Sequence, residues 1–206
     1  PIIFLTGDAG KTSEAKCLAM GAVDYIRKPI MPDVLLGRIN KVFEFEDIKS
    51  SLERDASCDP MTNLWNRRYI KDYIEAAVLD GSTGAFLMMD IDNFKSINDQ
   101  YGHLSGDQVL QSFVKTIENE IRNVDSLGRM GGEEFGILLI ETPVKEGLKT
   151  AKRIQNTLQN KKIQLNSDQS ITTKVSMGLT EVNSEDTNFD SIISRADRAL
   201  YKAKNL

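Results

Sequence analysis

The tightest constraint on this chain is a glycine pair set between two apolar runs. In Met130-Gly131-Gly132-Glu133-Glu134-Phe135 the glycines lead into two carboxylates, and an apolar run continues from Phe135 to Ile140. Glycine tolerates positive φ at both central positions of a tight turn, so residues 126–140 are predicted to form a hairpin centred on Gly131-Gly132. Glu133 and Glu134 leave its tip together. Adjacent carboxylates repel unless a cation or a basic ligand lies between them. A plain surface turn is the competing reading.

A second feature lies upstream. Gly84-Ala85-Phe86-Leu87-Met88-Met89-Asp90 is an apolar run ending in a carboxylate, followed by Ile91-Asp92-Asn93-Phe94-Lys95. A buried strand ending in Asp delivers that side chain to the carboxyl edge of a sheet, where α/β folds build their sites. Asp90 and Glu133 on neighbouring strands would supply oxygen ligands to Mg²⁺, which takes one or two carboxylates and leaves its other positions to phosphates and water. Further on, Asn98 and Asp107 flank a glycine-marked turn. An amide and a carboxylate suit a guanine edge, the amide facing O6 and N7 and the carboxylate accepting from N1–H and N2–H₂. Turn and N-cap roles are the alternative for this pair.

Taken in order, these motifs resemble the GGDEF-domain diguanylate cyclases, with GGEEF as a common variant of the signature. Asp59 to Arg68 is similar to the family's DxLTxLxNRR opening, with Met61 in place of Leu. Asp90 to Lys95 resembles DxDxFK. Asn98, Asp99, Gly102, His103, Gly106 and Asp107 resemble NDxxGHxxGD, and Ala196 to Lys204 resembles the closing ADxALYxAK helix. The likeness covers about Asp59 to Asn205. It implies an α+β, palm-like, antiparallel-rich sheet with covering helices, as in nucleotidyl cyclases.

The implied reaction joins two GTP into cyclic di-GMP and releases two pyrophosphates. A ribose hydroxyl is a poor nucleophile near neutral pH, and metal assistance is the usual remedy. The resemblance assigns Asp90, the Ile91 carbonyl and Glu133 to Mg²⁺ (or Mn²⁺), and Glu134 to deprotonation or a second ion. Asn98 and Asp107 hold guanine. Backbone N–H groups at Asn93-Phe94-Lys95, at a helix start, cradle phosphate. Lys204, with Arg198 and Lys202 as weaker candidates, neutralises the outer phosphates. The family's closing motif usually continues to a Gly-Arg pair, whereas this sequence ends at Leu206. One such domain holds one GTP, so closing two phosphodiester bonds calls for a homodimer. Arg122 and Asp125 resemble the RxxD inhibitory motif, five residues before the glycine pair. There Arg122 would stack on guanine and pair with phosphate while Asp125 accepts from a guanine edge. Arg129 and Arg153 are weaker candidates for the same basic surface. A silent GGDEF module that only binds GTP or cyclic di-GMP, and another nucleotidyl cyclase of this fold, are the competing functions.

Composition agrees. The 206 residues carry a net charge of −4, which argues against a nucleic-acid polymer as partner, and His103 is the only histidine, excluding a zinc site built on several. Two cysteines, Cys17 and Cys58, stand in no metal-like spacing, as in a reduced cytoplasmic protein. No apolar run approaches the ~20 residues of a membrane span, and no signal peptide is visible.

Three stretches follow. Residues 1–31 read as strand–helix–strand, with Thr6 and Lys28-Pro29 ending the strands, and resemble the C-terminal part of a response-regulator receiver domain. Asp8 sits in the wrong place for that family's phosphoacceptor. So small a piece should not bury a core alone, and poor order or packing on a partner chain is expected. A whole receiver would answer to an upstream histidine kinase. Residues 32–58 form a connector helix, with Leu35, Ile39, Val42, Phe45, Ile48 and Leu52 recurring at helical spacing. Two such helices could join two subunits. Residues 59–206 form the GGDEF-like domain. Its predicted elements are helices at 67–79, 94–101, 105–122, 143–159 and 188–204, and strands at 84–90, 161–165 and 170–182 besides the hairpin.

Overall fold

The computed structural model describes residues 1–7, 11–165, 169–186 and 188–205, with the side chains of residues 11–14 left out. Asp8 lies outside the described residues. The chain divides into two compact units, Pro1–Ala56 and Ser57–Leu206.

The first unit contains β1 (Ile3–Thr6), α1 (Lys11–Ala19) and β2 (Asp24–Arg27), followed by most of α2 (Pro32–Ser57). β1 and β2 pair in parallel, Ile3 opposite Asp24 and Thr6 opposite Arg27. The Lys28 amide extends the pairing by donating to the Thr6 carbonyl. Asp24 receives both bonds of one Arg38 nitrogen, at 2.7 Å each, which pins the start of β2 to α2. Two strands and two helices bury little. Among the described residues of this unit only Ile26 and Val42 are buried apolar side chains, while Leu5, Leu18 and Val23 are about half exposed.

The second unit runs β3 (Trp65–Asn66), α3 (Arg67–Leu79), β4 (Gly84–Ile91), α4 (Phe94–Tyr101), α5 (His103–Glu118), β5 (Ser126–Gly131), β6 (Glu134–Ile140), α6 (Val144–Asn160), β7 (Ile163–Gln164), β8 (Ser170–Ile171), β9 (Val175–Val182) and α7 (Phe189–Lys204). Its central sheet has the order β3-β5-β6-β4-β9. β4 lies inside it, antiparallel to β6 and β9, and is buried along its whole length. Side chains alternate across a strand, so β4 feeds two cores. Ala85, Leu87, Met89 and Ile91 pack with α4, α5 and α6 through Phe94, Val109, Phe113, Ile117 and Ile154. Phe86 and Met88 pack on the other face with α3 and α7 through Ile70, Ile74, Phe189, Ile192 and Leu200. This helix-covered, antiparallel-rich α+β sheet is the palm-like architecture expected from sequence.

Local chemistry sets the element ends. Asn66 caps α3, its side chain accepting from the Tyr69 amide at 3.0 Å, and Asn188 caps α7 in the same way from Ser191. α5 starts two residues earlier than expected and stops at Glu118. Beyond it, the Asp125 carboxylate accepts from the Arg122 amide and the Asp125 amide bonds back to the Arg122 carbonyl, closing a turn that starts at the expected helix end, four residues past the observed one. The predicted strand 170–182 is interrupted, with β8 pairing to β7 and β9 joining the main sheet.

Candidate active site

The signature hairpin differs from its expected form by one residue. β5 ends at Gly131 and β6 begins at Glu134, which pair with one another, so Gly132 and Glu133 make the turn. The shift comes from an irregularity between Arg129 and Gly131 that leaves Met130 without a partner, the geometry of a bulge. Gly132 has φ +54° and Gly131 φ +147°, values that side chains rarely adopt, which explains the glycine pair.

That register decides which carboxylates meet. Asp90, at the end of β4, stands directly opposite Glu134. Glu133 is one step further out, and its carbonyl accepts from the Ile91 amide at 3.3 Å. Asp90 lies on the α3/α7 side of β4 and is 6% exposed. Lys204, in the last turn of α7, reaches it with Nζ 2.7 Å from Oδ2. The lysine expected on the outer phosphates therefore stands on the carboxylate expected to hold metal. Arg198 and Lys202 lie on the same helix. Glu134 is pushed above the usual glutamate value by burial and by the charges of Asp90 and Asp197, with Lys204 acting against them. Asp197 on α7 is raised in turn by burial, opposed by Arg67.

Past Ile91 the chain turns sharply. The Asp92 amide donates to the Lys174 carbonyl at 3.0 Å, and its carboxylate accepts from Ser176 Oγ at 2.7 Å. Asn93 follows in the left-handed region at φ 57° and precedes α4, which begins with buried Phe94 and exposed Lys95. Residues 93–95 thus occupy a helix start, where free N–H groups favour an anion. Asn98 lies on α4 and Asp107 on α5, joined through Gly102. Gly106 is pressed against the Asn98 side chain, and an added Cβ would collide with the amide oxygen. The packing brings Asn98 beside the residue that precedes Asp107. Both belong to the helices on the opposite sheet face from Asp90 and Glu134, so the 91–95 turn links the two halves. His103 is the exposed first residue of α5.

Arg129 has a different place from the one expected. Its Nε and Nη2 donate to the Gly132 carbonyl at 2.9 and 2.7 Å, and Nη1 donates to both oxygens of Asp59 at 2.9 and 3.1 Å. It ties the signature turn to the opening motif, rather than joining Arg122. Asp59 also accepts from the Thr62 amide and hydroxyl. Burial works against its ionisation, but the Thr62 and Arg129 bonds win and hold it below the usual aspartate value. This anchor, Asp197 with Arg67, and the Ser176–Asp92 bond all escaped sequence reasoning. For Arg129 a signal existed, an arginine two residues before the glycines, but its partner is 70 positions away.

Arg122 and Asp125 are brought together. Arg122 Nη2 and Nε donate to Asp125 at 2.6 and 3.1 Å, and Nη2 also reaches the Ile140 carbonyl and Thr142 Oγ1, both at 2.8 Å. The Asp125 carboxylate is covered while the Arg122 side chain remains 55% exposed. Arg153 shares a hollow of about 410 Å³ with the pair, its guanidinium on Glu120.

The oxygen-only set at the end of β4 suits a hard cation, and the Lys204 ammonium shows that positive charge is favoured at Asp90. Among the described residues no group of three or more ligand side chains closes on one point. The few carboxylate oxygens there fit the way Mg²⁺ is usually held, by one or two carboxylates with phosphate and water in its other positions.

Such a sheet, bearing paired carboxylates at a glycine turn beside a helix start, defines a nucleotidyl cyclase palm domain. A family model described as "Diguanylate cyclase, GGDEF domain" matches residues 56–206, and the chain belongs to that family. The response regulator PleD of Caulobacter vibrioides (strain NA1000 / CB15N) is 28% identical over 216 residues, covering 99% of this chain and 48% of PleD. Diguanylate cyclase DosC of Escherichia coli (strain K12) is 33% identical over 164 residues, 78% of this chain and 35% of DosC. The chain thus spans less than half the length of either relative. Among solved structures, the coiled coil and GGDEF domain of DgcB from Caulobacter crescentus in complex with c-di-GMP superposes with a TM-score of 0.76 at 26% identity, over 84% of this chain and 93% of that one. Diguanylate cyclase SiaD of Pseudomonas aeruginosa, in complex with its activator SiaC, gives 0.69 at 29% identity, over 82% and 67%. Among the described residues no helix is long and apolar enough to cross a membrane.

Proposed function

We propose that this chain is a diguanylate cyclase, condensing two GTP into cyclic di-GMP with release of two pyrophosphates. The observation that carries the reading is the register of Asp90 against Glu134, with Glu133 beside Ile91, at the edge of a GGDEF-family sheet. Asp90, the Ile91 carbonyl and Glu133 would hold Mg²⁺, which when bound would supply positive charge to acidify the 3′-hydroxyl and offset the phosphates. Glu134 accepts the hydroxyl proton, a role its raised proton affinity suits. The amides of residues 93–95 cradle phosphate, and Lys204 exchanges its bond to Asp90 for one to the outer phosphates. Asn98 and Asp107 take the guanine edge.

Two domains must face each other, because each active site supplies only one nucleotide. The second half of α2 supports a homodimer. Phe45, Ile48 and Leu52 are 63%, 59% and 63% exposed, an apolar stripe at helical spacing. Residues 1–31 fit the end of a receiver domain, and the match to a response regulator extends over them. Phosphorylation by a histidine kinase would act through that domain. Domain limits of 1–31, 32–58 and 59–206 follow from this reading. Product feedback falls to Arg122 and Asp125, with Arg153 beside them.

The test is direct. The protein, incubated with Mg²⁺ and either GTP or ATP, should consume GTP in strong preference, and mass spectrometry should identify cyclic di-GMP as product. Comparable use of ATP would remove the guanine assignment of Asn98 and Asp107.

A further inference from the structure

Arg122 and Asp125 form a partition between two hollows. On one side lies the hollow with Lys149 and Arg153, which Glu141 and Glu146 also line. On the other lies a larger one, about 590 Å³, which Trp65, Tyr69 and Tyr73 line opposite residues 122–126. Tyr69 and Tyr73, four residues apart, share one side of α3, and Trp65 precedes them on β3. Trp65 and Tyr69 are stacked, with ring centroids 3.9 Å apart and planes 15° from parallel, and Tyr73 continues the ladder at 6.4 Å and 9°. Core packing explains only part of this. Tyr73 packs on the buried cluster beneath α3, but Trp65 is 36% exposed on a two-residue edge strand. Flat aromatic surface left open beside an arginine is costly to hydrate and well suited to stacking a planar base, since every nucleobase offers a π-face.

We propose that this aromatic hollow is a purine subsite, in which one guanine base of cyclic di-GMP lies on the Trp65–Tyr69 stack while the ligand's phosphate meets Arg122. The inference rests on the reading of Arg122 and Asp125 as a product site and extends it to residues outside that motif. Orientation follows from charge. Glu141 borders both hollows, and the Asp125 carboxylate is already neutralised by three donors from Arg122. The aromatic hollow sets Arg122 alone against Asp125 and Glu141, whereas the other adds Lys149, paired with Glu146, and Arg153, paired with Glu120. The less negative side draws the anionic backbone of the ligand and leaves the uncharged base for the aromatics. The bond network of Arg122 to Asp125, the Ile140 carbonyl and Thr142 fixes the guanidinium plane in advance, so little freedom is lost on binding. The hollow is also within the size range of small-ligand sites.

Trp65 is the only tryptophan in the chain, so its fluorescence reports on this hollow alone. Cyclic di-GMP is titrated into the Glu133→Gln protein, to silence turnover, with binding followed in parallel by calorimetry and by Trp65 emission. The proposal expects both signals to saturate with one Kd. Tyr69→Ala should weaken binding by about 5- to 100-fold, the usual effect of losing one base–aromatic stack, and Tyr69→Phe should restore it. If Tyr69→Ala does not fold, the emission change in the parent protein still decides. Calorimetric binding that depends on Arg122 but leaves Trp65 emission and the Tyr69→Ala affinity untouched overturns the aromatic subsite while sparing the product site. Binding that survives Arg122→Ala unchanged overturns the product-site reading itself.

Discussion

Glu134 is a residue the fold holds at a cost. Burial and the charges of Asp90 and Asp197 all favour its protonated form, and Lys204 only partly compensates. A carboxyl raised in this way binds its proton more tightly folded than unfolded. Stability then falls as pH rises from the usual value of 4.5 toward the folded value, and above that value the cost is complete. Glu134→Gln should therefore stabilise the metal-free protein at pH 7 to 8, by up to about 2 °C once solvent screening is allowed for. The gain should shrink as pH is lowered toward 4.5, as thermal unfolding across pH would show. Equal melting temperatures at every pH would mean that Glu134 is not strained. Gln at this position should also remove cyclisation, so a residue that costs the fold stability is one the chemistry needs.

At the level of elements, the hairpin depends on Arg129. Its side chain is only 14% exposed and joins β5, the Gly132 carbonyl and Asp59. Arg129→Ala strands a largely buried carboxylate and should cost about 1.5–3 kcal/mol, measured by denaturant unfolding. Asp59 is held below its usual 3.8, so its contribution is present above that value and lost as pH falls through the folded one. The difference between the two proteins should accordingly fade in acid. A difference that stays constant down to pH 2 would point to packing instead. Much at this scale was legible in the sequence. The helix at Arg67–Leu79 has the predicted limits, and β4 and α7 fall within a residue of theirs, because each is a long periodic segment with a cap or an apolar run. What was not legible is non-local. The turn moved to Gly132-Glu133 because Met130 has no partner across the hairpin, and that depends on the register of β6. The same register made Glu134, rather than Glu133, the cross-strand neighbour of Asp90. The order β3-β5-β6-β4-β9 places Trp65 beside Gly128, a pairing that no local pattern announces.

For the molecule as a whole, chemistry and assembly are inseparable in the proposed account. The apolar stripe at Phe45, Ile48 and Leu52 is open in the single chain. Burying it between two chains would raise the effective concentration of one active site at the other. Ile48→Glu should shift the protein toward monomer in sedimentation experiments and lower the cyclisation rate at least about tenfold at low micromolar enzyme, through loss of that gain. A monomeric variant with full activity would place the dimer contact elsewhere. The central claim is narrower, namely that the carboxylates at the end of β4 and at the glycine turn make cyclic di-GMP. Mass spectrometry of the products formed from GTP and Mg²⁺ by the parent protein and by Glu133→Gln, with circular dichroism confirming that both are folded, tests it most directly. The account predicts cyclic di-GMP and pyrophosphate in a 1:2 ratio from the parent and none from the variant. Equal product from both, or no product from the folded parent, would contradict it.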